Sequence, residues 1–371
     1  MTTRKHQILA LAIAALIILA FSVGSPLAAV QSDLRLDAES IETLKSIKNA
    51  GPRDDGFYTM RYQADYGLDD LMAKGGAKDQ KTLNDFISAR LLDGLPFFDN
   101  VLRMACSTFT ATTPAGDRIH GRNMDLGGAQ ALVMRTQPKN GYKSLTMVSG
   151  LPLGYVKDLP QGLIGRLLLL AAPYYPTDGI NEKGLSVAVL LLQDTPVRQE
   201  TGKTPIVTML AMRLMLDKAA TVDEALKLLE QYDMHSIYKS NYHYHIADAQ
   251  GKSAVVEYTD NVMRVIRPEG NCQVVTNFFL SPEKADVLSD GKADRSPKLQ
   301  AALDESKGIV SQEKAWKMLK SVEAVHDYDT VTGIDFNTAY SIVYNNTKRT
   351  MDICINANFD VVYSYSVDGD F

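Results

Sequence analysis

The stretch GLSVAVLLLQD, residues 184–194, constrains the fold more than any other part of the chain. Between Lys183 and Asp194 it carries no charge, and its apolar residues run on instead of alternating with polar ones. A run of this kind reads as a strand kept from water on both faces, and so as part of a sheet that is covered on each side. Material for the covers lies downstream. PIVTMLAMRLMLDKA and TVDEALKLLEQYD read as two helices, the second opened by Thr221 with Glu224 three residues on, which is a capping box. A second helical block spans 281–325 and includes SQEKAWKMLKSVEAV, capped by Ser311.

The remaining segments are strands and tight turns. CSTFTATTPAGDRIHGRNMDL reads as strand, turn over Pro114 to Asp117, strand, and YKSLTMVSGLP as a further strand. YHYHIADAQGKSAVVEYTDNVMRVI has period-two alternation on both sides of a turn from Ala249 to Lys252, as in a hairpin. CQVVTNFF, TAYSIVYNNTKRTMDICIN and DVVYSYSV complete the strand set. Strands, helices, strands, helices, strands is an α+β order without βαβ alternation. There is no internal repeat and no low-complexity tract.

Ahead of this lies a region of different character. MTTRKHQ followed by the charge-free run ILALAIAALIILAFSVG reads residues 1–29 as a signal peptide or an N-terminal anchor, which predicts an exported chain that is secreted or held close to a membrane. Residues 30–105 read as a folded, mainly helical segment. DAESIETLKSIKNA and DQKTLNDFISARLLDGL are amphipathic, the latter through Leu83, Phe86, Ile87, Leu91 and Leu92, and the strand-like GFYTMRY lies between them. Residues 106–371 form the main domain.

Composition removes several functions. A net charge of -5 over 371 residues leaves no basic face for a polyanion, so nucleic acid is not expected as a partner. There is no G-x-x-x-x-G-K-[ST], H-E-x-x-H, C-x-x-C or G-x-S-x-G, and no metal or cofactor is expected. His243 and His245, two apart on one strand, read more simply as packed strand residues than as a metal pair. Three cysteines follow the N-terminal run, Cys106, Cys272 and Cys354. Three are too few for a disulfide scaffold; Cys272 and Cys354 either bridge as strand neighbours or remain two buried thiols.

Cys106 is the residue that points to chemistry. A thiol attacks as thiolate, and an unperturbed pKa near 8.5 leaves it mostly protonated at neutral pH, so it needs a base. A distant histidine is one solution, with His120, His235, His243, His245 and His326 as candidates, but the sequence around Cys106 lacks the papain signature. The other solution is cleavage between Ala105 and Cys106. The new α-amino group, with a pKa of roughly 7.7–8.0, then serves as base for the thiol of its own residue.

CSTFTATTPAGDRIHGRNMDL resembles the opening of the choloylglycine hydrolase family of N-terminal-nucleophile hydrolases, in which a nucleophilic cysteine and a hairpin precede G-R-N-x-D. That set includes bile salt hydrolases, penicillin V acylases and the related acid ceramidase and N-acylethanolamine acid amidase. GINEKGLSVAVLLL, YHIADAQGKSAVVEY, VVTNFF and DFNTAYSIVYNNTKRTMDICI are similar to later family segments, so the resemblance covers nearly all of 106–371. It implies a four-layer αββα sandwich and a linear amide hydrolase working through a thioester. It assigns catalytic roles to Cys106 as nucleophile and base, Arg122 as the group that lowers the thiol pKa, Asp125 as the holder of the amine, and Asn277 as oxyanion donor. Asn181, Leu191 and Arg295 are its substrate-binding residues.

Two features depart from the family pattern. Leu191 stands where bile salt hydrolases have Asn and penicillin V acylases Tyr, which implies a more apolar pocket and leaves only its backbone N–H for an oxyanion. Both Arg295 and Lys298 compete for the later family arginine. The long segment before Cys106 is closest in layout to acid ceramidase and N-acylethanolamine acid amidase, where self-cleavage leaves two subunits. The expected substrate is a small N-acyl amide with an apolar acyl group, followed by conjugated bile salts and then penicillin V. RLLLLAAPYYP, 166–176, either lines the acyl pocket or belongs to the core. The alternative of another class is a non-catalytic exported binding protein on the same fold.

Overall fold

The computed structural model describes residues 36–51, 56–99, 104–126, 131–155, 159, 162, 164–192, 194–284, 295–329 and 334–371. Within it, Glu39–Phe371 form one compact unit. The N-terminal apolar run lies outside the described residues, and no described helix is long and apolar enough to cross a membrane.

The chain begins with helix α1 (Ala38–Lys45), strands β1 (Lys48–Asn49) and β2 (Phe57–Tyr62), and helices α2 (Leu68–Ala73) and α3 (Gln80–Leu91). A hairpin of β3 (Met104–Thr112) and β4 (Arg118–Leu126) follows, then β5 (Ala131–Thr136), β6 (Ser144–Ser149), a 3-10 helix over Ile164–Tyr174, β7 (Pro176–Asn181) and β8 (Ser186–Leu192). Next come β9 (Thr204–Val207), helices α4 (Thr208–Lys218) and α5 (Val222–Leu229), and strands β10 (Tyr232–His235), β11 (Asn241–Ala247), β12 (Ser253–Thr259), β13 (Val262–Ile266) and β14 (Gln273–Val275). Helices α6 (Arg295–Glu305) and α7 (Gln312–Ser321) precede β15 (Asp327–Asp329), β16 (Ile334–Asn345), β17 (Thr350–Ile355) and β18 (Tyr363–Ser366).

Two large sheets result. The first runs β1-β2-β5-β6-β7-β8-β11-β12-β13; the second runs β14-β3-β4-β16-β17-β18, with β15 also on β16. The uninterrupted apolar run is β8, buried along its whole length and central in the first sheet. Its one polar side chain, Ser186, points toward the second sheet, where His120 Nδ1 lies 2.9 Å from its hydroxyl and Asn346 Nδ2 donates to it at 2.8 Å. Alternation turns Val187, Val189 and Leu191 to the opposite face. There Tyr244, the β11 partner of Val189, donates its hydroxyl to Thr208 O of α4 at 3.0 Å.

On the far side of the second sheet, α6 and α7 pack Leu299, Leu303, Met318 and Leu319 against Phe109, Ile119, Val274 and Val343. The layers are therefore α4 and α5, first sheet, second sheet, α6 and α7, the αββα sandwich. The expected caps form: Thr221 accepts from Glu224 N–H, and Ser311 from Lys314 N–H. Both expected hairpin turns are present, between β3 and β4 and between β11 and β12.

The segment before Cys106 is helical as expected, but it also completes the first sheet. β2 lies parallel to β5 over six residue pairs, from Phe57–Ala131 to Tyr62–Thr136. Its helices are tied down by buried polar bonds: Tyr66 donates to Asp217 Oδ2 at 2.5 Å, and Tyr174 to Tyr66 O at 2.6 Å. Residues 166–176 take the core option, with Leu169, Leu170, Ala171 and Ala172 fully buried. All three cysteines are free thiols. Cys354 on β17 and Cys272 beside β14 are separated by β3, β4 and β16, so they are not strand neighbours and do not bridge.

Candidate active site

Cys106 sits near the start of β3, opposite Met124 on β4, and Ala105 is opposite Asp125. Residues directly opposite share a face, and residues two apart on a strand do also, so Cys106, Met124 and Arg122 all point between the sheets. The G-R-N-x-D run explains itself from here. Gly121 faces Phe109 across the ladder, where a Cβ would lie 2.4 Å from the ring, so glycine is the residue that fits. Asn123 turns to the helical layer, donating to Leu319 O at 2.8 Å and accepting from Ser341 Oγ at 2.7 Å. Three residues apart, Arg122 and Asp125 fall on opposite faces of β4, and each finds a different partner.

The Arg122 guanidinium, fully buried, reaches Cys106 Sγ at 3.5 Å and Val189 O at 3.1 Å, and Nε pairs with Asp178 Oδ2 at 2.7 Å. Asp178 also accepts from Tyr340 OH at 2.8 Å and from Tyr344 OH. Burial works against the charge on Arg122, but the Cys106 thiol, Asp178 and the two tyrosines outweigh it and raise its pKa, so it stays protonated. Asp125 accepts from Arg295 Nη1 at 2.9 Å and from Thr338 Oγ1 at 2.6 Å.

Asn277, just after β14, links these pairs. Its Oδ1 accepts the Cys106 backbone N–H at 2.6 Å and Arg295 Nη2 at 3.1 Å, while its Nδ2 donates to Leu191 O at 2.7 Å. Two donors on one side and a carbonyl on the other fix the orientation of the amide. The amide nitrogen retains a second N–H. The carbonyls of Val189 and Leu191 are taken by Arg122 and Asn277, so both residues turn to this cluster the strand edge that also carries their N–H groups. The pairing of β7 with β8 ends at Asp178–Ala188, which leaves that edge accessible to side chains from the second sheet.

Burial pushes the Cys106 thiol up to about 12, Arg122 and Arg295 pull it down, and Asp125 pushes it up again. The electrostatic help expected from Arg122 is present, but desolvation exceeds it while the residue is locked inside a strand.

The expected residues divide as follows. Cys106, Arg122, Asp125, Asn277, Arg295 and the Leu191 backbone converge on one cluster. Between the competing cations, Arg295 is the one in the cluster; Lys298 is exposed on α6. Asn181 stands apart from it. Its Nδ2 donates to Leu216 O and Ala219 O at 3.0 and 2.8 Å, and its Oδ1 accepts from the N–H groups of Lys183 and Leu185. An amide so fully engaged by backbone braces the β7–β8 turn against the end of α4 and has nothing left for a substrate. Among the described residues the cysteine has no histidine partner: the rings of His120, His243 and His245 bond to Ser186, Glu257 with Thr276 O, and Thr108 respectively. Among the described residues no group of three metal-ligating side chains occurs. Asp178, Tyr340, Tyr344 and Thr338 were not anticipated. DGIN at 178–181 has the composition of a turn, and nothing local marks its aspartate as the partner of an arginine 56 positions upstream in the chain.

A double-sheet αββα core with a cysteine at the start of an inner strand is the architecture of the N-terminal-nucleophile hydrolases, and the solved structures similar to this chain are of that class. A variant of conjugated bile acid hydrolase from Clostridium perfringens has a TM-score of 0.50 at 18% identity, with 72% of this chain and 95% of that one covered. Penicillin V acylase from Agrobacterium tumefaciens has a TM-score of 0.52 at 18% identity, with 70% and 86% covered. In sequence, penicillin V acylase from Pectobacterium atrosepticum is 38% identical over 112 residues, which are 27% of this chain and 30% of that protein's length. Residues 106–282 match the model of the linear amide C–N hydrolases, choloylglycine hydrolase family. The match begins at Cys106.

Proposed function

We propose that this protein is a self-processing amidase that hydrolyses a linear C–N amide bond of a small N-acyl compound, with Cys106 as nucleophile. The observation that carries the reading is the pairing of a thiol 3.5 Å from a buried guanidinium with a backbone nitrogen, on the same residue, held at 2.6 Å by Asn277. In processing, Sγ attacks the Ala105 carbonyl carbon, the C–N bond to Cys106 breaks with the proton passing to the new amine, and water hydrolyses the thioester. The amine then stays near Asn277 Oδ1 with Asp125 as its anionic neighbour, and takes the thiol proton when substrate arrives.

In turnover, Sγ attacks the substrate carbonyl, the amine protonates the departing nitrogen, and water releases the acid. The second N–H of Asn277 Nδ2 and the Leu191 N–H are the donors for the oxyanion, each such donor lowering the barrier by about 3–4 kcal/mol. Penicillin V is a second reading, favoured by the 38% identity to a penicillin V acylase. Under the same proposal residues 1–29 carry the chain out of the cytoplasm, and 30–105 remain as a separate subunit after cleavage.

Mass spectrometry of the purified protein tests the processing step: the expected result is a new N-terminus at Cys106. Cys106→Ser is expected to lose both this cleavage and the hydrolysis of an N-acyl amide panel. Full hydrolysis by that variant, or an intact wild-type chain with no turnover, overturns the reading.

A further inference from the structure

Asn277 makes three contacts in the cluster, yet it lies outside the fold's strands and helices, between the end of β14 at Val275 and the 3-10 turn at Pro282. Something must hold the backbone that carries it. Two buried side chains on the first sheet's inner face do so. His243 on β11 and Glu257 on β12 are adjacent strand residues with no solvent exposure, and His243 Nδ1 lies 3.1 Å from Glu257 Oε1. The other ring nitrogen, Nε2, lies 2.8 Å from Thr276 O, the carbonyl of the residue before Asn277.

Glu257 grips the other end of the same segment. Leu280 N–H donates to Oε1 at 2.7 Å, and Ser281 donates to Oε2 through its N–H at 2.9 Å and its hydroxyl at 2.6 Å. Burial pushes the Glu257 carboxyl up, but these donors and His243 more than compensate and hold it below its ordinary value. The carboxylate thus accepts from both ends of the clamp, and the segment between Thr276 and Ser281 is fixed at two points on either side of Asn277.

Resting on the amidase reading above, we propose that His243 and Glu257 are positioning residues that set the place of Asn277, and through it the Cys106 nitrogen and the oxyanion donor. Neither touches the reacting atoms. Their loss displaces a transition-state contact while leaving the substrate pocket in place, so it lowers kcat and leaves KM.

The two nitrogens of His243 can be separated chemically. Glutamine presents its amide nitrogen near the Nε2 position and keeps the bond to Thr276 O; asparagine presents it near Nδ1 and keeps only the bond to Glu257. With full-length protein and both penicillin V and glycine-conjugated bile salt as substrates, His243→Gln is expected to stay within about threefold of wild-type kcat. His243→Asn and Glu257→Gln are expected to fall by up to about 100-fold, with KM within about twofold and slower release of Cys106. Ser281→Ala, which removes one donor without opening the inter-sheet space, gives a smaller fall in kcat.

A purely structural role would make activity follow thermal stability, with glutamine no better than asparagine; that result, or unchanged kcat in Ser281→Ala and Glu257→Gln, overturns the proposal. If the wild type neither releases Cys106 nor turns over any amide, the amidase reading fails and this inference with it. If the wild type is active and the series is flat, this inference alone fails.

Discussion

Arg122 keeps a full positive charge in a place with no access to water because Asp178 stands 2.7 Å from its Nε, with two tyrosine hydroxyls completing the carboxylate. The pair positions a cation beside the thiol, and neither ion is stable there alone. Removing one member of a buried pair strands the other, at a cost of about 3–5 kcal/mol. Asp178→Asn is therefore expected to destabilise the protein by that amount, measured by urea denaturation, and to reduce turnover as the guanidinium shifts away from Cys106. Cys106, Arg122 and Asp125 were legible in the sequence because a cysteine and a G-R-N-x-D run fall on adjacent strands of one hairpin, and Asn277 through the resemblance of VVTNFF to a family segment. Asp178 was not, since its role depends on which strand of the other sheet lies across from β4.

Between the sheets lies a layer of histidines. His120 and His245 are both fully buried, with ring centroids 4.5 Å apart. Burial, with the positive charge of Arg122 added, takes His120 down to about 3, and burial together with His120 and His243 takes His245 well below its ordinary value. The unfolded chain binds a proton at each of these positions near pH 6.5, whereas the folded chain does not, so stability is complete above that pH and declines as pH falls toward the folded values. For His120 the loss between pH 7 and pH 5 is about 2 kcal/mol. Urea midpoints at the two pH values should show this fall, and His120→Gln should make it smaller by about the same amount. The strands carrying these residues were readable from alternation, but His243 and His245, adjacent in the pattern, have unrelated tasks. One is turned to Glu257 and the Asn277 segment, the other to Thr108 at 2.7 Å.

At the scale of the whole molecule, the segment before Cys106 is built into the sandwich it precedes. Phe57, Tyr58, Met60 and Tyr62 of β2 are each at most 6% exposed, and burial of such side chains contributes about 1.5–3 kcal/mol apiece. Release of the segment after cleavage would expose them, unpair β5 and strand Asp217 without its Tyr66 hydroxyl. Cleaved protein is accordingly expected to elute as one species in size exclusion, and to separate into two chains only in denaturant. Dissociation in native buffer would remove the subunit assignment.

The sequence by itself determined what depends on neighbours along the chain. Those features are the covered sheet announced by residues 184–192, the hairpins and helix caps, and the charged and nucleophilic residues that the β3–β4 ladder brings together. Their signals are local, because strand alternation and capping act over a few residues. What only the tertiary structure decided is which distant groups share a desolvated space. It selected Arg295 over Lys298, gave Asn181 to a turn, kept Cys272 and Cys354 apart and placed β2 in the first sheet. Buried charges and amides take whatever partner the packing of two sheets and their helices brings within about 3 Å, and no spacing along the chain encodes that choice.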